Sequence, residues 1–172
     1  WNSITHGLGA LFGIFILIFS LIKIINTGYI NGLDSSNPLS YSSYIIKILS
    51  IAIYSISLMI TYTISCIYHA LKRNNGKKVL RIIDHDTVYL LISGTYTPYC
   101  LISLRNVKLY NIIPYSGYII LAIVYILIIH GIVFNSININ KFKILSFIMY
   151  IVSGWMIIFE AKEILNIIGF NG

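Results

Sequence analysis

Apolar side chains fill five long segments of the chain, and polar side chains fall mainly between these segments. The segments cover residues 4–25, 44–71, 82–104, 113–134 and 142–168. At a rise of about 1.5 Å per residue, about 20 residues suffice to cross a bilayer core about 30 Å thick. The runs are continuously apolar, without the alternation of a barrel strand, and otherwise only helices satisfy the backbone in lipid. The pattern predicts an all-α, polytopic transmembrane helix bundle, with these five spans in one domain, residues 1–172.

The composition excludes a water-soluble domain. Hydrophobic residues make up 58% of the 172 residues, charged residues 10%, and the mean hydropathy is +0.85. Soluble domains average roughly 45–50% apolar and about 25% charged residues, and a chain this apolar is not disordered either. The chain begins with Trp1, and no basic leader precedes the first apolar segment. We therefore interpret it as a fragment without a signal peptide.

The basic residues predict an orientation in the membrane. The formal net charge is +7, and Lys and Arg are enriched in cytoplasmic loops. The loops that follow the second and fourth segments carry Lys72, Arg73, Lys77, Lys78, Arg81, Lys141 and Lys143. The opposite side carries Lys23, Lys47, Arg105, Lys108 and Lys162. This bias predicts a multi-pass protein in the lipid bilayer with a cytoplasmic N-terminus. We interpret the basic loops as the signal that sets this topology and expect no binding to nucleic acid.

Ionisable residues gather at one end of the predicted bundle. His6 opens the first segment, His69 closes the second, and Asp84 and His85 open the third. Because successive spans alternate in direction, all of these lie at the cytoplasmic end. Ionisable residues within spans are costly, and they commonly face a cavity or a partner.

Three of these polar positions are of the types that build metal sites. Ser65 lies four residues before His69, so both side chains share one helix face. Together with Asp84 at the same depth, they are compatible with a metal site in which His69 binds directly and Asp84 or Ser65 acts through a water.

Each of these residues also has a simpler interpretation. A histidine near the end of a span is commonly an interfacial residue, and Asp84 and Asp86 are favoured near a helix N-terminus by the helix dipole. Ser65 could donate to the backbone carbonyl four residues earlier. Pro98 predicts a kink in the third span, with the opening of a cavity as a possible consequence.

Four short motifs resemble those of the hemolysin III family, which is grouped with the progestin and adiponectin receptors and the alkaline ceramidases. They are Asn2-Ser3-Ile4-Thr5-His6-Gly7, Ser65-Cys66-Ile67-Tyr68-His69, Arg81-Ile82-Ile83-Asp84-His85 and Gly94-Thr95-Tyr96-Thr97-Pro98. The pair Gly154-Trp155 also matches. The resemblance implies a seven-helix bundle with a cytoplasmic N-terminus, so we expect five of seven spans here, with the last two helices missing.

The resemblance also implies a zinc ion near the cytoplasmic face. Carried over to this chain, His69 is a direct ligand, Asp84 holds the zinc-bound water and Ser65 is a supporting polar residue, while His6 and His85 are weaker candidates. Two further histidines of the family, in an H-x-x-x-H motif of the seventh helix, would lie beyond Gly172. We therefore expect zinc in the full-length protein and an incomplete site in this chain, since a catalytic zinc normally has three protein ligands.

Three functions are compatible with these features, and the sequence does not decide whether the protein is an enzyme. The leading hypothesis is a zinc-dependent hydrolase of a lipid amide such as ceramide, with Asp84 and Ser65 as its catalytic residues. The second is a non-enzymatic receptor or signalling protein with a structural zinc. The third is a pore-forming hemolysin, although the spans carry no regular polar stripe.

Overall fold

The computed structural model describes residues 1–30, 38–104 and 115–161, and within these ranges the chain is helical and forms no strand. The α-helices are α1 (Asn2–Ile30), α2 (Pro38–Ala70), α3 (Asn75–Pro98), α4 (Ser116–Asn138) and α5 (Lys143–Trp155). A π-helical turn, Tyr99–Ser103, follows α3, and a 3₁₀-helix, Met156–Glu160, follows α5. The prediction of an all-α helical membrane bundle is confirmed.

Three helical stretches are long and apolar enough to cross a membrane: Asn2–Thr27, Ser42–Ala70 and Ser116–Asn138. A shorter apolar stretch covers Lys143–Phe159. The predicted third segment coincides with most of α3 and with the π-helical turn. Helix α3 is not among the three membrane-spanning candidates, because its first half is charged. The predicted fourth and fifth segments extend into 113–114 and 162–168, which lie outside the described residues, as do Arg105, Lys108 and Lys162.

Small side chains bring the helices together. On α1, a Cβ added at Gly9 would lie 2.7 Å from the Tyr62 ring of α2. On α3, a Cβ at Gly94 would overlap the Ser57 side chain of α2. Helices in lipid associate by such close packing, since the surrounding lipid is as apolar as the side chains. Large apolar side chains such as Phe15 accordingly lie on the outer faces, where they are exposed.

Each helix packs against the helix that follows it in sequence, from α1 to α5. Helices α2 and α3 run antiparallel, because Ser57 faces Gly94 while the Thr61 hydroxyl, one turn further along α2, donates to the Thr87 carbonyl at 2.8 Å. The turn between them is closed by the Asn74 side chain, which caps α3 by accepting from the Lys77 amide at 2.8 Å.

Two of the basic loops meet at one end of the bundle. Arg81, near the start of α3, and Lys143, at the start of α5, line the same cavity. One basic residue that follows α2 and one that follows α4 therefore lie at the same end of the bundle.

Pro98 marks a change in helix geometry. The α-helical hydrogen bonding ends at Pro98, and in the next turn the Leu104 amide donates to the Tyr99 carbonyl at 3.0 Å, a π-helical bond. A cavity of about 370 Å³ lies beside this turn, lined by residues of α1, α2 and α3 that include Ile16, Tyr54 and Pro98.

Candidate metal centre

Two histidines from different helices meet at the end of the bundle that carries the charged start of α3. The imidazole rings of His6, in the first turns of α1, and His69, near the end of α2, have centroids 5.2 Å apart and planes inclined at 62°. His6 is half-buried and His69 is exposed. The Nδ1 atom of His6 is buried and has no hydrogen-bond partner among the described residues. A buried ring nitrogen without a partner is costly unless a ligand occupies it.

Contacts between α1 and α2 set the position of His6. The Ser3 hydroxyl donates to the Cys66 carbonyl at 3.1 Å, which fixes the start of α1 against the last turns of α2. On the inner side, the Tyr62 ring lies edge-on to His6, with centroids 5.9 Å apart. Gly9 provides the space for that ring. Local packing therefore directs the His6 ring toward His69.

Ser65 and Asp84 lie at the same level on neighbouring helices. Ser65 follows Thr61 by one turn of α2, and Asp84 precedes Thr87 by about one turn of α3, so the Thr61–Thr87 hydrogen bond sets both positions in this antiparallel pair. Ser65 is buried and Asp84 is half-buried.

The simpler interpretation of Ser65 does not apply in this structure. Thr61 donates to the carbonyl four residues earlier, at 2.8 Å. Within the described ranges, Ser65 makes no such bond.

His85 lies elsewhere. It lines a cavity together with Asn135 of α4 and Tyr150 of α5, and the Tyr150 hydroxyl donates to the His85 carbonyl at 2.6 Å. The structure does not bring His85 into the contact between His6 and His69. Its neighbour Asp86 accepts a hydrogen bond of 3.3 Å from the Ser136 hydroxyl of α4 through Oδ2, and its buried Oδ1 has no partner among the residues that the structure describes.

The described part of the chain does not contain a complete set of zinc ligands. In residues 1–30, 38–104 and 115–161, no three His, Cys, Asp or Glu side chains lie close enough together to hold an ion. The two adjacent imidazoles are of the type that binds zinc, but three protein ligands are normal for a catalytic site. His6 and His69 therefore fit such an ion as part of a set.

A buried polar network between α3, α4 and α5 was not predicted from the sequence. The Tyr89 hydroxyl donates to the Ser146 carbonyl at 3.0 Å, and the Ser146 hydroxyl donates to the Asn135 side-chain oxygen at 2.6 Å. The rings of Tyr89 and Tyr150 stack with centroids 4.0 Å apart. Two residues in the sequence could have indicated this network: Asn135 and Ser146 are polar residues near the ends of apolar segments. Gly131 admits the Tyr89 ring, which a Cβ there would overlap.

Comparison with known proteins places the chain in a family. A family model described as "Haemolysin-III related" matches residues 1–172. A hemolysin-3 homolog of Bacillus subtilis (strain 168) is 34% identical over 163 residues, which cover 95% of this chain and 66% of that protein. Hemolysin-3 of Bacillus cereus is 32% identical over 163 residues, which cover 95% of this chain and 64% of that protein.

The chain thus spans slightly less than two thirds of the length of these two relatives. No solved structure matches it. The apolar helices, together with the match over the whole sequence, identify an integral membrane protein. The chain belongs to the hemolysin III family.

Proposed function

We propose that the protein, at its full natural length, is a zinc-dependent membrane hydrolase that cleaves a lipid amide such as ceramide. The observation that carries the proposal is the contact between His6 and His69. The Nδ1 atom of His6 is buried and has no hydrogen-bond partner in the described ranges. The contact lies toward the end of α2 that carries Ser65, whose level Asp84 shares. We further propose that this end faces the cytoplasm.

Four side chains would take part in the proposed hydrolysis. His6 and His69 would hold the ion, together with a ligand from outside the described residues. A bound zinc supplies Lewis acidity and a water-derived nucleophile near neutral pH. The Asp84 carboxylate would accept the proton of the attacking water as general base. The Ser65 hydroxyl, which has no hydrogen-bond partner among the described residues, would orient that carboxylate.

The cavity beside Pro98 supports a lipid substrate. It is lined by Ile16 of α1 and Ile51 of α2, as well as by residues of α3. Ile16 lies about 15 Å along α1 from His6, at about 1.5 Å per residue. An amide bound near His69 would therefore place an acyl chain along the same three helices.

The test is hydrolysis of a fluorescent ceramide by purified full-length protein loaded with zinc. His69→Ala and Asp84→Asn should each lower the rate by about 100-fold or more, since they remove a metal ligand and a general base. His130→Ala is the matched control, because His130 is exposed and, among the described residues, its ring bonds to the Ile126 carbonyl of its own helix alone, at 2.7 Å. Wild-type rates in both site variants would overturn the proposal.

Two other outcomes distinguish the alternative functions. If the protein binds zinc through His69 but cleaves no lipid while a known ceramidase works in the same assay, zinc is structural and a receptor or signalling role is favoured. If the protein instead conducts ions across planar bilayers, and His69→Ala abolishes the current, pore formation is favoured.

A further inference from the structure

A second cavity opens between α3, α4 and α5, away from the contact between His6 and His69. Its volume is about 620 Å³. Arg81, His85 and Lys143 lie on its walls. The rest of the lining includes the polar Asn135 and Tyr150. The cavity thus combines cationic groups with hydrogen-bonding groups.

The basic lining of this cavity continues into a neighbouring pocket. Arg81 also lines an adjacent pocket of about 550 Å³, together with Arg73, Lys77 and Lys78. In the part of the chain that the structure describes, neither Arg81 nor Lys143 forms an ion pair with a carboxylate. Among the described residues, Arg81 and Lys143 are therefore cations without a direct carboxylate partner, while the nearby Asp86 carboxylate accepts from Ser136 of α4.

One wall of the second cavity is apolar and faces the surroundings of the bundle. It is formed by Ile139, Ile144 and Phe147. Ile144 is 76% exposed and Phe147 is 62% exposed. In a bilayer these α5 side chains would contact acyl chains, while Arg81 and Lys143, near helix ends, would lie near the headgroups.

We infer that this cavity binds an anionic phospholipid of the membrane, with the phosphate between Arg81 and Lys143 and an acyl chain against Ile144 and Phe147. The Arg fork matches the geometry of phosphate oxygens, and Lys contributes a point charge. Basic pockets between transmembrane helices are suited to anionic headgroups, which collect near polybasic segments. The apolar wall favours a lipid over a free phosphate ion, because a free ion would make no contact there. The site is separate from the proposed hydrolase site and does not depend on it.

The test is the thermal unfolding of full-length protein in a neutral detergent, with added dioleoyl phosphatidylglycerol or dioleoyl phosphatidylcholine. Phosphatidylglycerol should raise the Tm, and phosphatidylcholine should not, because a ligand stabilises the state to which it binds. In the variant Arg81→Gln/Lys143→Gln, the affinity for phosphatidylglycerol should fall on the order of 10-fold or more, and the Tm shift should shrink accordingly. The matched control is Lys23→Gln/Lys47→Gln, which loses the same charge from exposed positions on α1 and α2.

Each other result decides against the inference. An equal Tm shift with phosphatidylcholine would remove the headgroup preference. A shift with glycerol phosphate as large as that with phosphatidylglycerol would reduce the site to an anion site. A full shift retained in the double variant would exclude the two cations. If that variant does not fold, Lys143→Gln alone serves, since Lys143 is exposed at the first position of α5.

Discussion

The imidazole rings of His6 and His69 lie 5.2 Å apart, centroid to centroid, although the two residues belong to opposite ends of their respective helices. His6 lies in the first turns of α1 and His69 lies near the end of α2, so the two helices must run antiparallel to bring the residues together. The Nδ1 atom of His6 is buried and has no hydrogen-bond partner among the described residues. The relationship makes His6 a stronger ligand candidate than its position in the sequence suggests.

Removal of either histidine should lower the zinc content of the full-length protein. We expect His6→Ala and His69→Ala each to bind less zinc by elemental analysis of the purified protein, because each removes one imidazole of the pair. His85→Ala should retain the wild-type content, since His85 lines the cavity between α3 and α5. Wild-type zinc in both of the first two variants would exclude the site.

Gly9 should affect metal binding indirectly, through Tyr62. A Cβ at Gly9 would lie 2.7 Å from the Tyr62 ring, and that ring contacts His6. We therefore expect Gly9→Ala to weaken zinc binding measured by titration. The double variant Gly9→Ala/Tyr62→Leu should recover part of the loss, because the smaller side chain restores space. Additive losses in the double-mutant cycle would show that Gly9 acts independently of Tyr62.

Gly131→Ala should destabilise the bundle by about 1–3 kcal/mol, the usual cost of overpacking a well-packed core. The reason is that its Cβ would overlap the Tyr89 ring, which is fully buried. Gly154→Ala is the control, since a Cβ at Gly154 would meet no atom of another described element within 4 Å. Thermal unfolding of both variants measures the difference. Equal Tm values would mean that α4 does not approach Tyr89 as closely as described.

Ser146→Ala should cost more than Ser153→Ala, although both serines are buried in α5. Ser146 donates to the Asn135 side-chain oxygen, so its removal leaves a buried acceptor without that donor, at a cost of about 1–3 kcal/mol. Ser153, in contrast, donates within its own helix, to the carbonyls of Met149 and Tyr150. Chemical denaturation of the two variants tests the order, and the reverse order would contradict the network.

The sequence by itself determined the class of the protein and part of the candidate site. Continuous apolar segments in a chain with few charges leave helices as the favoured structure in lipid, and the structure is helical accordingly. The spacing of Ser65 and His69 placed both on one face, because helical geometry is local. The motif that resembles the hemolysin III family contains the same two residues.

Only the tertiary structure decided which helix faces meet. Hydropathy does not distinguish the faces of a helix that is apolar all round, so the contacts of Tyr89 with Gly131 and of His6 with His69 were not readable from periodicity. These contacts depend on where small residues let backbones approach, since close packing and hydrogen bonds, not burial from water, drive helix association in lipid. His85 and Asp84 are adjacent in sequence, but successive side chains of a helix point about 100° apart. The packing of the helices decides that His85 lines the cavity between α3, α4 and α5, while Asp84 shares the level of Ser65 on α2.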